Sequence, residues 1–97
     1  MRIVTYKRIQ EFSEKYPDTL KPLTFWYYSV KGKQWNSFND LKQDFGSADY
    51  VGNNRVVFNI KGNHYRLVAI IAYASKKVYI RFIGTHKQYD KIDCKNI

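Results

Sequence analysis

Three stretches of apolar alternation follow one another in the second half of the chain: R-V-V-F-N-I-K at 55–61, H-Y-R-L-V-A-I-I-A-Y at 64–73 and K-V-Y-I-R-F-I at 77–83. A period of two marks a strand with one covered face, and gaps this short leave room only for hairpins. Gly62 and Asn63 suit the first loop because both residue types tolerate positive φ, and Ser75-Lys76 can serve as the second. The expectation is an antiparallel three-stranded meander.

Side-chain alternation converts register into faces. Pairing Lys61 with His64 sets Asn59 opposite Arg66 and Arg55 opposite Ile70, and pairing Ala74 with Lys77 sets Arg81 opposite Ile70 and Thr85 opposite Arg66. One face then carries Val56, Phe58, Ile60, Leu67, Ile71, Ile80 and Phe82, and must be where other elements pack. The opposite face carries Arg55, Asn59, Lys61, Arg66 and Arg81 among short apolar residues, with no carboxylate on these three strands. That face reads as concave and open. Guanidinium forks match phosphate oxygens bidentately, so three converging on one surface suit a phosphodiester.

The first half of the chain has helical spacing. Met1 to Val4 reads as a short edge strand, and Thr5 as the N-cap of a helix carrying Ile9, Phe12 and Tyr16, which Pro17 stops. A second helix begins between Asp18 and Pro22, carries Leu20, Leu23, Tyr27 and Val30 on one stripe, and ends at Gly32. Ser37 and Asp40 resemble a capping box for a short third helix with Phe38, Leu41 and Phe45 inward. The run F-W-Y-Y at 25–28 cannot form one flat stacking platform, because four consecutive helical residues point four ways. Partial core burial is expected there, with Trp35 as a lid over the core.

Ninety-seven residues without a linker or low-complexity tract make one domain, 1–97. Seventeen Lys and Arg against eight Asp and Glu give a formal charge of +9, a field that attracts phosphate polymers. Nucleic acid therefore leads an anionic membrane surface as the expected partner. No apolar run approaches a membrane span and no signal peptide is visible, so the chain reads as soluble and cytoplasmic. A single cysteine, Cys94, and two histidines without metal-ligand spacing argue against a disulfide framework or a zinc site. With no glycine-rich phosphate loop either, no metal and no cofactor are expected.

G-T-H-K-Q-Y-D at 84–90 leaves the last strand near Arg66. Histidine as a residue type can give or take a proton near neutrality, so His86 is the better proton-transfer candidate, whereas Tyr89 is a weaker base unless cations lower its pKa. His64, at the hairpin tip, reads as structural or solvent-exposed.

Y-V-G-N-N-R-V-V-F-N-I-K-G-N-H-Y-R-L-V at 50–68 and V-Y-I-R-F-I-G-T-H-K-Q-Y-D-K-I-D at 78–93 resemble the HigB family within the RelE-like group of toxin-antitoxin ribonucleases. R-x-x-x-E-F and Y-P-D-x-x-x-P-L extend the likeness more loosely into the first half. The resemblance implies an α+β fold with short N-terminal helices on one face of a small antiparallel sheet. It also implies a metal-independent endoribonuclease that cleaves mRNA, commonly on the ribosome. Its partner would be a HigA antitoxin with a helix-turn-helix domain, through which alone it would meet operator DNA. Arg66 matches the strand arginine such enzymes set against the scissile phosphate, Arg81 adds a second cation, and His86 and Tyr89 fall in the stretch that holds proton-transfer residues. Arg55, Asn59, Lys61 and Lys87 are the expected RNA-binding residues, with Lys7, Arg8, Lys31 and Lys33 holding backbone less specifically. The rival reading is a noncatalytic RNA- or ribosome-binding inhibitor of translation.

Overall fold

The computed structural model describes residues 1–97. Along the chain run β1 (Arg2–Val4), α1 (Lys7–Lys15), a 3-10 turn (Pro17–Thr19), α2 (Leu20–Lys31), α3 (Phe38–Asp44), β2 (Asp49–Gly52), β3 (Arg55–Ile60), β4 (Tyr65–Ala72), β5 (Lys77–Thr85) and α4 (His86–Tyr89). The fold is α+β. Five strands form one sheet in the order β1-β5-β4-β3-β2. The meander at its centre is antiparallel as expected, but β1 joins β5 in parallel, so the sheet is mixed. β2 escaped the sequence reading: four residues ending in a Gly52 bulge are too few to show alternation.

Helices α1 to α3 cover one face. Ile9, Leu23, Trp26, Val30 and Leu41 meet Val56, Phe58, Leu67, Ile71, Val78 and Ile80 in a single buried cluster. Trp35 belongs to that cluster and donates its indole N–H to Asp44 at 2.8 Å, so it is a core residue with a polar edge rather than a lid. Ser37 caps α3 by accepting from the Asp40 N–H, as read; the Asp40 carboxylate accepts instead from the Asn36 N–H. Gly32 ends α2. Leu20, expected on the inward stripe, is 55% exposed; Trp26 takes that place beside Leu23 and Val30. The F-W-Y-Y run is buried only at Trp26, since Phe25 is 72% and Tyr28 63% exposed.

Thr5 does not cap α1. Its φ is +71°, and its hydroxyl meets the main chain of β5, accepting from the Ile80 N–H at 3.1 Å and lying 3.2 Å from the Ile80 carbonyl. β1 has ended by then, so the hydroxyl replaces the strand partner Ile80 lacks. One residue on, Arg8 donates to the Arg81 carbonyl at 3.2 Å.

At that point β5 bulges. The first hairpin has the expected register, Asn59 opposite Arg66 and Arg55 opposite Ile70. In the second, Tyr79 rather than Arg81 faces Ile70, the register shifts between Ile80 and Phe82, and Gly84 rather than Thr85 faces Arg66. Arg81 is the extra residue of the bulge, which breaks the alternation that grouped it with Arg55 and Arg66. Phe82 moves to the face away from the helices, opposite Val68, and Ile83 packs against the core in its stead.

That second face is not open. Residues 86–97 cross it: Arg55 donates to the Ile97 main-chain oxygen at 2.6 and 3.1 Å, and Asn53 to that of Lys95 at 3.1 Å. Val57 and Val68 lie beneath, buried yet outside the helical-side core.

Candidate active site

The site grows from the end of the sheet where β4 begins and β5 ends. Lys61 and Gly62 have positive φ, and the His64 N–H closes the turn on the Lys61 carbonyl at 3.2 Å. β4 then presents Arg66 between Asn59 on β3 and Gly84 on β5. α4 starts immediately after β5. Thr85 and Gln88 form a complete capping box, with the Thr85 hydroxyl accepting from the Gln88 N–H and the Gln88 side chain from the Thr85 N–H. This T-x-x-Q pattern was readable in the sequence. The His86 N–H reaches back to the His64 carbonyl at 3.2 Å, tying α4 to the hairpin.

Those constraints fold Tyr89 over Arg66, with 5.8 Å between the guanidinium carbon and the ring centre. Arg66 also donates to the Asn63 carbonyl at 3.2 Å and stays partly exposed. Space for the turn comes from Gly84, where a Cβ would fall 2.4 Å from Phe82 Cζ and 2.8 Å from Gln88 Oε1. The Tyr89 hydroxyl donates to Cys94 Sγ at 3.5 Å. Its pKa is pushed up to about 12, chiefly by burial, with the Cys94 contact and Asp49 adding and Arg66 opposing. The neighbouring cation thus fails to make this phenol a base near neutrality. Exposed His86 has Nδ1 3.2 Å from Asp90 Oδ2, an i,i+4 contact that leaves Nε2 clear of Asp90.

Arg66, His86, Tyr89 and Asn59 are therefore brought to one end of the sheet, with exposed Lys87 beside them on α4. Three other predicted residues are disposed differently. Arg81 lies exposed at the bulge, roughly 10 Å along β5 from Gly84. Arg55 is engaged by the Ile97 and Asn53 carbonyl oxygens. Lys61, assigned to the arginine face, has left the strand and pairs with Asp18 at 2.8 Å on the helical side, where the Tyr65 hydroxyl also donates to Asp18. Both donors hold the Asp18 carboxyl below its usual range, Lys61 foremost.

Asp49, Asp90 and Cys94 join the site unannounced. Asp49 arrives with the missed β2, on the same face as Val57, and gives that face a carboxylate. Asp90, four residues from His86 on a helix, had a readable signal. No group of three or more His, Cys, Asp or Glu stands close enough to hold a metal ion, and no helix is long and apolar enough to cross a membrane.

A family model described as a HigB toxin, RelE-like toxic component of a toxin-antitoxin system, matches residues 19–92. Among curated proteins, the mRNA interferase toxin HigB of Escherichia coli strain K12 is 34% identical over 93 residues, covering 93% of this chain and 88% of that protein. The mRNA interferase HigB of Shigella flexneri matches equally. That of Escherichia coli O6:H1 is 26% identical over 94 residues, with 95% and 91% covered.

Proposed function

The chain belongs to the HigB family of RelE-like toxins, the toxic component of a toxin-antitoxin system, and from that premise we propose that it is an endoribonuclease cleaving mRNA at the Arg66 end of the sheet. Its relatives in Escherichia coli and Shigella flexneri are mRNA interferases, which supports mRNA as the substrate. The observation that carries the reading is the placement of Tyr89, the last residue of α4, over Arg66, with His86 as the first residue of the same helix. A phosphodiester resting there meets a guanidinium fork from β4 together with an imidazole and a phenol three residues apart on α4.

The ribose 2′-hydroxyl attacks its own 3′-phosphorus; the O2′–P bond forms as the P–O5′ bond breaks, leaving a 2′,3′-cyclic phosphate and a 5′-hydroxyl. His86 takes the 2′-hydroxyl proton through Nε2 while Asp90 faces Nδ1 and orients the ring. Tyr89, with a pKa of about 12, keeps its proton at neutral pH and, on rotating its O–H away from Cys94 Sγ, gives it to the departing O5′. Arg66 meets the charge that grows on the phosphoryl oxygens, a kind of donor whose loss costs on the order of 100- to 1000-fold in rate. Arg81, Lys87 and Asn59 guide the RNA backbone toward this point. Arg55 and Lys61, already engaged within the protein, contribute charge at longer range.

A HigA-type antitoxin with a helix-turn-helix domain neutralises the toxin and carries the pair to operator DNA. Cleavage takes place on translating ribosomes in the cytoplasm. The test is induced expression of wild type, Arg66→Ala and His86→Ala, following growth and mapping the 5′ ends of cellular mRNA. Arrest with new internal ends for wild type, absent in both variants, supports the reading. Arrest without new ends would leave a noncatalytic binder of RNA or ribosomes.

A further inference from the structure

The outward face of α2 repeats Lys21, Phe25, Tyr28 and Lys31 at spacings of four, three and three, which puts them on one side of the helix. The opposite side is the buried stripe of Leu23, Trp26 and Val30. Phe25 and Tyr28 are 72% and 63% exposed, an unusual placement for two large rings that have partners available inward. The Lys31 ammonium lies 6.0 Å from the centre of the Tyr28 ring and 5.7 Å from that of Tyr27. α2 contains no acidic residue. Beyond Lys31 a groove of about 600 Å³ continues the surface, with Arg2, Lys31 and Lys76 among its lining and no carboxylate.

We propose that this face of α2 is a second RNA-binding surface, on which unpaired bases stack against Phe25 and Tyr28 while Lys21 and Lys31 hold the flanking phosphates. It rests on RNA being the substrate but is separate from cleavage, because α2 covers the opposite sheet face from Arg66. Residues 25 and 28 share a side of the helix, so two of the four aromatics in the 25–28 run form the platform that all four together could not. Every base has a π-face, so such a platform accepts RNA of varied sequence, and the lysines add a salt-dependent contact. Charge decides against a protein partner: Lys21 and Lys31 bracket the two rings and α2 carries no carboxylate, whereas lysine is depleted where proteins meet. The surface suits a single-stranded or looped RNA segment away from the cleaved bond.

The experiment uses the full chain carrying Arg66→Ala, so that RNA survives, and a fluorescein-labelled adenine-rich 12-nucleotide RNA read by anisotropy across a salt series. Adding Phe25→Ala with Tyr28→Ala is expected to weaken binding by about tenfold or more without changing the salt slope. Adding Lys21→Ala with Lys31→Ala is expected to flatten the slope by about 1.4. Phe25→Tyr with Tyr28→Phe keeps both rings and retains affinity. Unaltered binding by the double-alanine aromatic variant overturns the proposal, as does a variant that keeps its RNA affinity and loses that for purified antitoxin. Wild-type protein that leaves mRNA intact while the rings still govern RNA affinity removes the nuclease reading and upholds this one.

Discussion

The ring of Tyr89 lies over the guanidinium of Arg66, 5.8 Å from its central carbon, and its hydroxyl points on to Cys94. The helix residue thereby covers one side of the strand arginine, which also donates to the Asn63 carbonyl and stays partly exposed. Replacing Arg66 by Ala is expected to lower cleavage of a defined RNA by about 100- to 1000-fold. Arg66→Lys restores charge without the planar fork and is expected to recover only a small part of that rate. Single-turnover cleavage of purified variants measures both.

Tyr89→Phe keeps the stacked ring and deletes the proton. Cleavage should fall while RNA affinity stays near that of wild type, the split expected of an acid rather than a binding group. Its folded pKa of about 12 exceeds the ordinary phenol value of 10.0, so the native state holds this proton more tightly than the unfolded chain does. The resulting stability is complete below pH 10 and lost as pH rises toward 12. Denaturation of wild type against Tyr89→Phe across that window should show a steeper alkaline decline in wild type.

Asp18 ties the 3-10 turn to the hairpin through Lys61 and Tyr65. Its folded pKa lies below the ordinary 3.8, so the stabilisation is present above that value and disappears as pH falls through the folded pKa. Thermal melts between pH 2 and 7 should show an acid-side loss in wild type that is smaller in Asp18→Asn. A second consequence concerns Lys61: once Asp18→Asn releases it, RNA affinity at low salt should rise.

Gly84→Ala puts a methyl group where Phe82 Cζ and Gln88 Oε1 already stand. Overpacking of this sort costs about 1–3 kcal/mol. Because Gln88 belongs to the capping box that starts α4, cleavage should drop beyond what lost stability explains. Combining Gly84→Ala with Phe82→Leu should recover stability in urea denaturation while activity stays low.

Thr5→Val leaves the Ile80 N–H without its acceptor beside the bulge, a loss of about 1–3 kcal/mol for a part-buried group. Amide hydrogen exchange at Ile80 should accelerate more than at Val68, which the β4 ladder holds.

Local chemistry made much of the fold legible. Alternation at 55–60 and 65–72 with a Gly-Asn turn fixed β3, β4 and the pairing of Asn59 with Arg66; Pro17, Gly32 and Ser37 marked helix limits through φ, the missing N–H and side-chain capping. The motif-bearing residues Arg66, His86 and Tyr89 were recognisable because they lie in a segment resembling a known family; the β4–β5 pairing and the capping box of α4 bring them to one end of the sheet. Tertiary structure decided the rest. The bulge at Arg81 depends on Thr5 and Arg8, more than 70 residues away, taking over main-chain groups that β1 is too short to reach. Lys61 went to Asp18 because the 3-10 turn delivers a carboxylate to the hairpin end, and the second sheet face closed because residues 86–97 turn back across Val57 and Val68. Periodicity and turn preference act over a few residues and can be read one residue after another; a hydrogen bond or ion pair between distant segments exists only once packing has set them side by side.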